Sequence, residues 1–288
     1  MDNDGISDAL IPLRVAVTFA GDQATIDFTG SAQQQSGNVN AVLAITQSAV
    51  HYVFRCLLGI DVPNNSGCLQ PIEIIAPEGS IVNAQHPAAV AAGNVETSQR
   101  IVDVLLGALA KAAPERIPAA SQGTMNNVTI GGWDPTLNRA FTYYETLGGG
   151  MGANSSGPGP SATHSHMTNT LNTPIEALEF AYPLRVLCYE IRHGSGGRGR
   201  YAGGDGLRRD IQTLVPAQAS LLTERRSTQP YGLAGGSPGT SGKNVLICDG
   251  VEKTVKGKIN LQMKPGDILS IRTPGGGGYG KLLTDNGD

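Results

Sequence analysis

Hydrophobic and polar positions follow different patterns before and after residue 120. Residues 13–28 contain two alternating stretches around an Ala-Gly-Asp-Gln turn, which predicts a β-hairpin. The apolar run 41–58 has the length of a helix, and the glycine that follows it would end that helix. Residues 97–112 place apolar side chains on one face, so they predict a second helix that Thr97 or Ser98 can cap.

Beyond residue 120 the pattern changes to short β-like runs separated by connections rich in glycine and proline. These runs are 127–130, 140–145, 184–191, 207–215, 219–223, 244–248 and 267–272. We therefore predict a mixed α/β (α+β) fold that is strand-rich after residue 120. The helix-bearing part would span 1–120 and the glycine-rich part 121–288, most simply as one continuous domain because no sharp linker separates them.

Glycine is concentrated in three runs, at 144–153, 194–206 and 274–280. Each run adjoins apolar, strand-like sequence, which is unusual for a flexible linker. Glycine is costly to order and supplies no side chain for packing, so such runs indicate backbone that turns tightly or approaches another surface closely. Surface turns of a β-rich protein are one interpretation, and a site or subunit interface built from main chain is the other.

Composition and charge narrow the possible partners and the cellular location. The chain has 288 residues, 40% of them hydrophobic, and a net charge of −3, so it can bury a core but lacks the basic face that nucleic acid or an anionic membrane would need. No apolar run reaches membrane-spanning length, and the acidic N-terminus does not resemble a signal peptide. Four scattered cysteines form no metal-binding spacing and predict reduced thiols in a cytoplasmic protein.

The segment 163–179 contains the densest candidate chemistry. His164 and His166 are two residues apart, a spacing that on a strand puts both imidazoles on one face. Together with Glu176 or Glu179 they could bind a divalent cation. The alternative is that the histidines and the asparagines beside them hydrogen-bond a long loop into place. The spacing of the histidines fixes no third ligand, which favours this alternative.

Residues 93–100 open the predicted second helix and form another candidate site. A helix start presents free N–H groups and a partial positive charge, which favour an anion. Asn94, Glu96 and Arg100 would line that end. Ordinary capping, with Glu96 in the first turn, explains the same residues equally well.

Two common catalytic motifs do not occur in this sequence. Serines lie near glycines at 121–123 and 194–196, but neither forms the G-x-S-x-G turn of a nucleophilic serine. The phosphate-loop pattern G-x-x-x-x-G-K-[ST] is also missing. We therefore do not expect this chain to bind ATP through such a loop.

Six ordered stretches carry a specific resemblance to a known family. They are DFTGSAQQQSGNVNA at 27–41, PIEIIAPEGSIVN at 71–83, PAAVAAGNVETSQRIVDVLLGALAKAAPERIPAASQGTMNN at 87–127, YYETLGGGMGA at 143–153, HSHMTNTLNTPIEALEFAYPLRV at 164–186 and GSGGRGRYAGGDGLRR at 194–209. Together they closely resemble the hydantoinase B/oxoprolinase family. The similarity extends over essentially the whole chain, from about Asp4 to Tyr279.

The resemblance implies a class of function. Family members are subunits, or C-terminal halves, of ATP-dependent amide-activating enzymes. They include N-methylhydantoinases and 5-oxoprolinases, which open lactam or imide rings, and acetone and acetophenone carboxylases. A companion hydantoinase A subunit with an actin-like ATPase fold phosphorylates a substrate oxygen, and the B subunit completes the reaction. ATP is therefore expected on the partner subunit.

The resemblance also implies further partners. B subunits of the family are usually longer than this chain, and their N-terminal half carries Asp and His residues thought to hold a divalent metal such as Mg, Mn or Zn. The present sequence matches the later part of that pattern. Either a separate chain supplies the missing N-terminal half with its metal, or the protein was split or cleaved, and we expect an obligate heteromer. No metal ligand is assigned within this chain.

Three functions remain open from sequence. The first is a component of a hydantoinase/oxoprolinase-type hydrolase, in which glycine-rich backbone N–H groups would stabilise a developing oxyanion. The second is a component of an ATP-dependent carboxylase of the acetone or acetophenone type. The third is a non-catalytic assembly subunit whose glycine runs serve as an interface.

We expect the glycine run 148–152 and the segment 164–172 to lie together and to face a cavity shared with the partner chains. The loop at 154–163 contains glycine and proline and would permit the necessary reversal. The predicted catalytic residues are His164, His166, Glu145 and Asn169. The predicted substrate-binding residues are Gly148, Gly149, Gly150, Met151, Asn94, Glu96 and Arg100.

Overall fold

A computed structural model describes residues 1–59, 63 and 65–282 of the chain. Within these residues it contains three α-helices and twelve strands arranged in three sheets. This composition confirms the predicted mixed α/β, strand-rich class. All seven β-like runs predicted after residue 120 contain or overlap a strand.

The helices are α1 (Leu43–Leu58), α2 (Ser98–Leu109) and α3 (Ile175–Ala181). The strands are β1 (Ala16–Ala20), β2 (Gln23–Asp27), β3 (Ile72–Ile75), β4 (Asn127–Asp134), β5 (Arg139–Glu145), β6 (Leu184–Arg192), β7 (Gly206–Thr213), β8 (Ala217–Leu222), β9 (Lys243–Cys248), β10 (Val251–Val255), β11 (Lys258–Met263) and β12 (Ile268–Arg272).

The chain forms two compact units. The first comprises Met1–Pro118 together with the short stretch His166–Thr168. In this unit β1 and β2 form the predicted hairpin, and β3 adds to β2 in parallel. Helices α1 and α2 pack against each other. Gly59 ends α1 in a left-handed conformation, φ +60°, which is the helix stop that the sequence predicted.

Helix α2 begins differently from the prediction. A single π-helical turn, Gly93–Thr97, runs directly into it, so Thr97 has helical backbone angles and does not act as a cap. Its hydroxyl instead donates to the carbonyl of Val39, while the Ser98 hydroxyl donates to the carbonyl of Asn94, 2.7 Å away. The predicted capping role of these two residues is therefore wrong, because the helix continues backwards through the π-turn.

The second unit comprises Ala119–Ser165 and the chain from Asn169 onward. It contains a five-stranded sheet of order β10-β9-β12-β7-β6 and a four-stranded sheet of order β11-β8-β4-β5. Side chains from both sheets join one buried apolar cluster, which includes Ile130, Tyr143, Leu207, Ile211 and Ile271. Burial alternates along β5, where Phe141 and Tyr143 point into this cluster, as a strand with one buried face requires.

All three glycine runs meet inside the second unit, where backbone packs directly on backbone. The N–H of Gly276 donates to the carbonyl oxygen of Gly204, and the N–H of Gly204 donates to the carbonyl oxygen of Met151. Both distances are 2.8 Å. A Cβ atom on Gly150 would overlap the carbonyl oxygen of Gly204, and one on Gly276 would overlap that of Met151. These glycines are thus interior packing positions rather than surface turns.

None of the helices in the described part of the chain combines the length and the apolar character that crossing a bilayer demands.

Candidate functional site

Residues 163–173 are here called the histidine segment. Both the first and the last residues of this segment lie beside the chain that follows β5. Gly149 and Thr163 exchange two backbone hydrogen bonds of 3.1 and 2.8 Å. Near the other end, the hydroxyls of Thr146 and Thr170 are hydrogen-bonded at 2.7 Å. The glycine run and the ends of the histidine segment are therefore neighbours, because two short bridges tie them together.

The predicted open approach to the glycine run is not present in the described chain. Gly148, Gly149, Gly150 and Gly152 are all buried. A Cβ atom on Gly149 would overlap the side chain of Gln122, and the other three glycines face backbone of the same unit. Met151 is partly exposed. This placement favours a structural role for these glycines over the predicted contact with substrate.

A buried ion pair fixes the C-terminal end of the histidine segment. Nε of Arg209, on β7, lies 2.7 Å from Oε1 of Glu145 at the end of β5, and the two side chains are only 0% and 4% exposed. Oε2 of Glu145 accepts a 2.9 Å hydrogen bond from the Asn172 amide, which also donates to the carbonyl of Thr146. Tyr189 completes the network: its ring lies 4.5 Å from the Arg209 guanidinium, and its hydroxyl donates to Asn172.

In this network each carboxylate oxygen of Glu145 already has a partner within the chain. The carboxylate balances the buried charge of Arg209 and holds Asn172, so its placement favours a structural role over the predicted catalytic one. Asn169, another predicted catalytic residue, is exposed to solvent.

His164 belongs to the second unit and has a different environment. Both of its ring nitrogens are buried, and neither has a hydrogen-bond partner in the described structure. Burial lowers the pKa of this imidazole below its ordinary value of 6.5, so the ring is neutral at pH 7. A neutral imidazole carries one donor and one acceptor. Buried polar side-chain atoms without a partner are uncommon in folded proteins, so both nitrogens of His164 stand out.

His166 belongs to the first unit, where it meets a residue that the sequence did not single out. Its Nδ1 lies 3.3 Å from the hydroxyl of Tyr52 on α1, and the two rings meet edge to face with centroids 5.8 Å apart. Burial lowers the pKa of His166, while the carboxylate of Asp103 on α2 acts in the opposite direction. The backbone of His166 is left-handed, with φ +56°.

The residues predicted at the start of the second helix do not form one exposed anion site. Glu96 is fully buried, whereas Asn94 is exposed. Arg100 is paired with Asp103 through a 2.7 Å contact on the same helix. Arg100 and His166, predicted separately, therefore share Asp103 as a neighbour. The π-helical turn Gly93–Thr97 directly precedes the helix that carries Arg100, and such turns are frequent at functional sites.

The described residues do not fit the divalent metal that the family resemblance implies. Across residues 1–59, 63 and 65–282, no group of three or more His, Cys, Asp or Glu side chains is arranged to hold an ion. His164 and His166 also belong to different compact units. No step is therefore assigned to a metal bound by this part of the chain.

Comparison with known proteins decides the family. The model of the hydantoinase B/oxoprolinase family matches residues 1–282. The chain belongs to the hydantoinase B/oxoprolinase family. It is 43% identical over 273 residues to an uncharacterised protein, MJ0963, of Methanocaldococcus jannaschii, covering 95% of this chain and 47% of that protein. It is 44% identical over 276 residues to 5-oxoprolinase 1 of Arabidopsis thaliana, covering 96% of this chain and 21% of that protein.

Two solved structures of larger chains share this fold. The ATP-dependent caprolactamase of Pseudomonas jessenii is similar with a TM-score of 0.81 and 27% identity, over 93% of this chain and 48% of that chain. An acetone carboxylase has a TM-score of 0.80 at 18% identity, over 92% of this chain and 41% of that one, which shows a common fold alone. The chain thus spans half or less of each of these relatives.

Proposed function

We propose that this chain is one component of an ATP-dependent amidohydrolase that opens a cyclic amide or imide. The observation that carries the proposal is the family match over residues 1–282. The similarity to a 5-oxoprolinase and to an ATP-dependent caprolactamase supports the same reaction class, because both names describe enzymes of cyclic amides.

The proposed division of labour places ATP on a partner subunit and the metal in the N-terminal half of the family pattern. An unstrained amide needs activation before water can cleave it. In our proposal a hydantoinase A-like ATPase subunit binds ATP and activates the carbonyl oxygen of the substrate by phosphorylation. The N-terminal half of the family pattern would hold the divalent metal. These partners would act together in the cytoplasm.

Within this chain we propose His164 as the residue that exchanges a proton with the substrate or the attacking water. Its ring is neutral, and both nitrogens are buried without a partner in the described structure. A neutral imidazole can accept a proton at one nitrogen and donate from the other, as acid–base catalysis requires. Glu145 and Asn172 would hold the end of the segment that carries this histidine.

His164→Gln in the native complex tests this role. Loss of a general acid–base group lowers turnover by about 10²–10⁴-fold, so we expect at least a hundredfold loss of kcat. His193→Gln is the matched control, because the His193 side chain is 86% exposed and lies near the Asp205 carboxylate at the surface. If both variants retain turnover, His164 does not transfer the proton.

Assays of the native complex, purified through a tag on this chain, test the proposed reaction. We expect ATP-dependent opening of 5-oxoproline, a hydantoin or a lactam, measured by chromatography of the ring-opened product. The fold shared with acetone carboxylase supplies the second candidate function. Bicarbonate-dependent consumption of a ketone, without ring opening, would establish the carboxylase instead. A complex inactive in both assays would leave the assembly role.

A further inference from the structure

Tyr52 and His166 form a polar pair within the first unit. Tyr52 lies on α1, and its hydroxyl oxygen is 3.3 Å from Nδ1 of His166. The ring of His166 meets the tyrosine edge to face rather than stacking on it. This contact joins residues 114 positions apart in sequence, so it is a feature of the folded unit and not of local geometry.

The direction of this hydrogen bond follows from the charge states of the two rings. Burial and the nearby Cys56 raise the pKa of Tyr52, so the phenol keeps its proton and remains a donor. Burial lowers the pKa of His166, so the imidazole is neutral and has one accepting nitrogen. If Nδ1 carried the proton, the phenol proton would be left with the Cys56 thiol, which is a weak acceptor. Nδ1 is therefore the acceptor.

Charged neighbours do not reverse this assignment. Asp103 favours the protonated imidazolium, but burial is the larger effect on the pKa of His166. The Asp103 carboxylate is already paired with Arg100 at 2.7 Å, which reduces its influence on the ring. With Nδ1 accepting from Tyr52, the single proton of the neutral ring resides on Nε2.

The backbone of His166 is held in an unusual conformation. Its φ of +56° lies in the left-handed region, which is unfavourable for a non-glycine residue and persists where its surroundings fix it. The contact with Tyr52 is one interaction that can offset this cost. A strained histidine whose ring is held by a defined donor is more typical of a functional position than of a loop that only packs.

We infer that Tyr52 is a positioning residue for His166: its hydroxyl holds the imidazole in one orientation and in the Nε2–H tautomer. His166 then presents a hydrogen-bond donor and not a base. This assigns different chemistry to the two histidines of the segment, since His164 has both nitrogens unpartnered in the described structure. The catalytic consequence rests on the proposed amidohydrolase function, whereas the tautomer itself does not.

Nitrogen NMR on the full chain, labelled with ¹⁵N-histidine and purified with its native partners, tests the inference. The His166 resonances are assigned by their loss in His166→Gln. In the native protein at neutral pH, we expect Nε2 to carry the proton and Nδ1 to be unprotonated. In Tyr52→Phe the edge contact is retained but the donor is lost, so we expect a measurable fraction of the Nδ1–H tautomer. Tyr201→Phe, which removes a phenol hydroxyl from the second unit, should leave the His166 resonances unchanged.

Turnover gives the second measurement. If His166 donates to a group whose charge increases in the transition state, Tyr52→Phe should lower kcat about tenfold with little change in KM, as for the loss of one hydrogen bond. A native Nδ1–H tautomer, or an unchanged tautomer in Tyr52→Phe, would overturn the inference. If the native complex opens no amide ring, the proposed function fails while the NMR result still decides the positioning role.

Discussion

The buried ion pair of Glu145 and Arg209 joins β5 and β7 and holds Asn172 at the end of the histidine segment. Removing one partner of a buried pair leaves the other charge without compensation. We therefore expect Glu145→Gln to lower the free energy of unfolding by about 3–5 kcal/mol, measured by urea titration. Glu252→Gln is the control, since it breaks the exposed contact with Arg272 and should change stability by about 0–1 kcal/mol. Equal effects of the two changes would contradict the structural role of Glu145.

His164 and His166 make the protein sensitive to acid. Burial depresses the folded-state pKa of both below 6.5, so below that pH the unfolded chain binds protons that the folded chain does not. The free energy of unfolding is therefore highest above the pKa that these histidines have in the unfolded chain, and it falls as the pH decreases below that pKa. We expect the urea concentration at the unfolding midpoint to decrease as the pH is lowered from 7 to 5. The decrease should be smaller in a His164→Gln, His166→Gln double variant. A native protein that gains stability over this range would contradict the assignment.

The sequence identified part of this site and could not identify the rest. The spacing of His164 and His166 marked the segment directly. Tyr52 was missed because it lies within an apolar helix, and its contact with His166 spans 114 positions. Arg209 was not singled out from the sequence. Its position inside a predicted strand, where alternate side chains point inward, was a usable signal for a buried ion pair.

Among the structural elements, the glycine runs form the most constrained packing. A Cβ atom on Gly150 would overlap backbone atoms of Gly204 and Gly276, which cannot move aside as a flexible side chain can. We expect Gly150→Ala to destabilise the protein by about 1–3 kcal/mol or more, as overpacking does. Gly157→Ala is the matched control, because a Cβ atom there has open space around it. Similar urea midpoints for the two variants would show that the glycine runs are not tightly packed.

The elements were predicted best where the hydrophobic pattern was strong. Helix α1 and the seven β-like runs have long apolar or alternating patterns, and the structure contains elements at these places. Strand β10 was missed because four of its five residues are exposed and give no alternation. Helix α3 was missed because it has only seven residues, with Leu178 as its buried side chain. Neither element has an amphipathic pattern long enough to be recognised from sequence.

At the scale of the whole molecule, the surface of the second unit suits a protein with partners. Leu171 and Phe180 are 97% and 93% exposed, so each offers a large apolar side chain to a neighbouring surface. We expect the chain expressed alone to self-associate, as measured by light scattering, and to become monodisperse when expressed with its native partners. A stable monomer in isolation would contradict this expectation.

The nucleotide dependence of amide-ring opening tests the central proposal most directly. The purified native complex should release one ADP for each ring opened, measured by parallel chromatography of nucleotide and product. The same preparation without this chain should open no ring, and the isolated chain should show no micromolar ATP binding by calorimetry. Ring opening without ATP consumption, or undiminished ring opening after removal of this chain, would contradict the account.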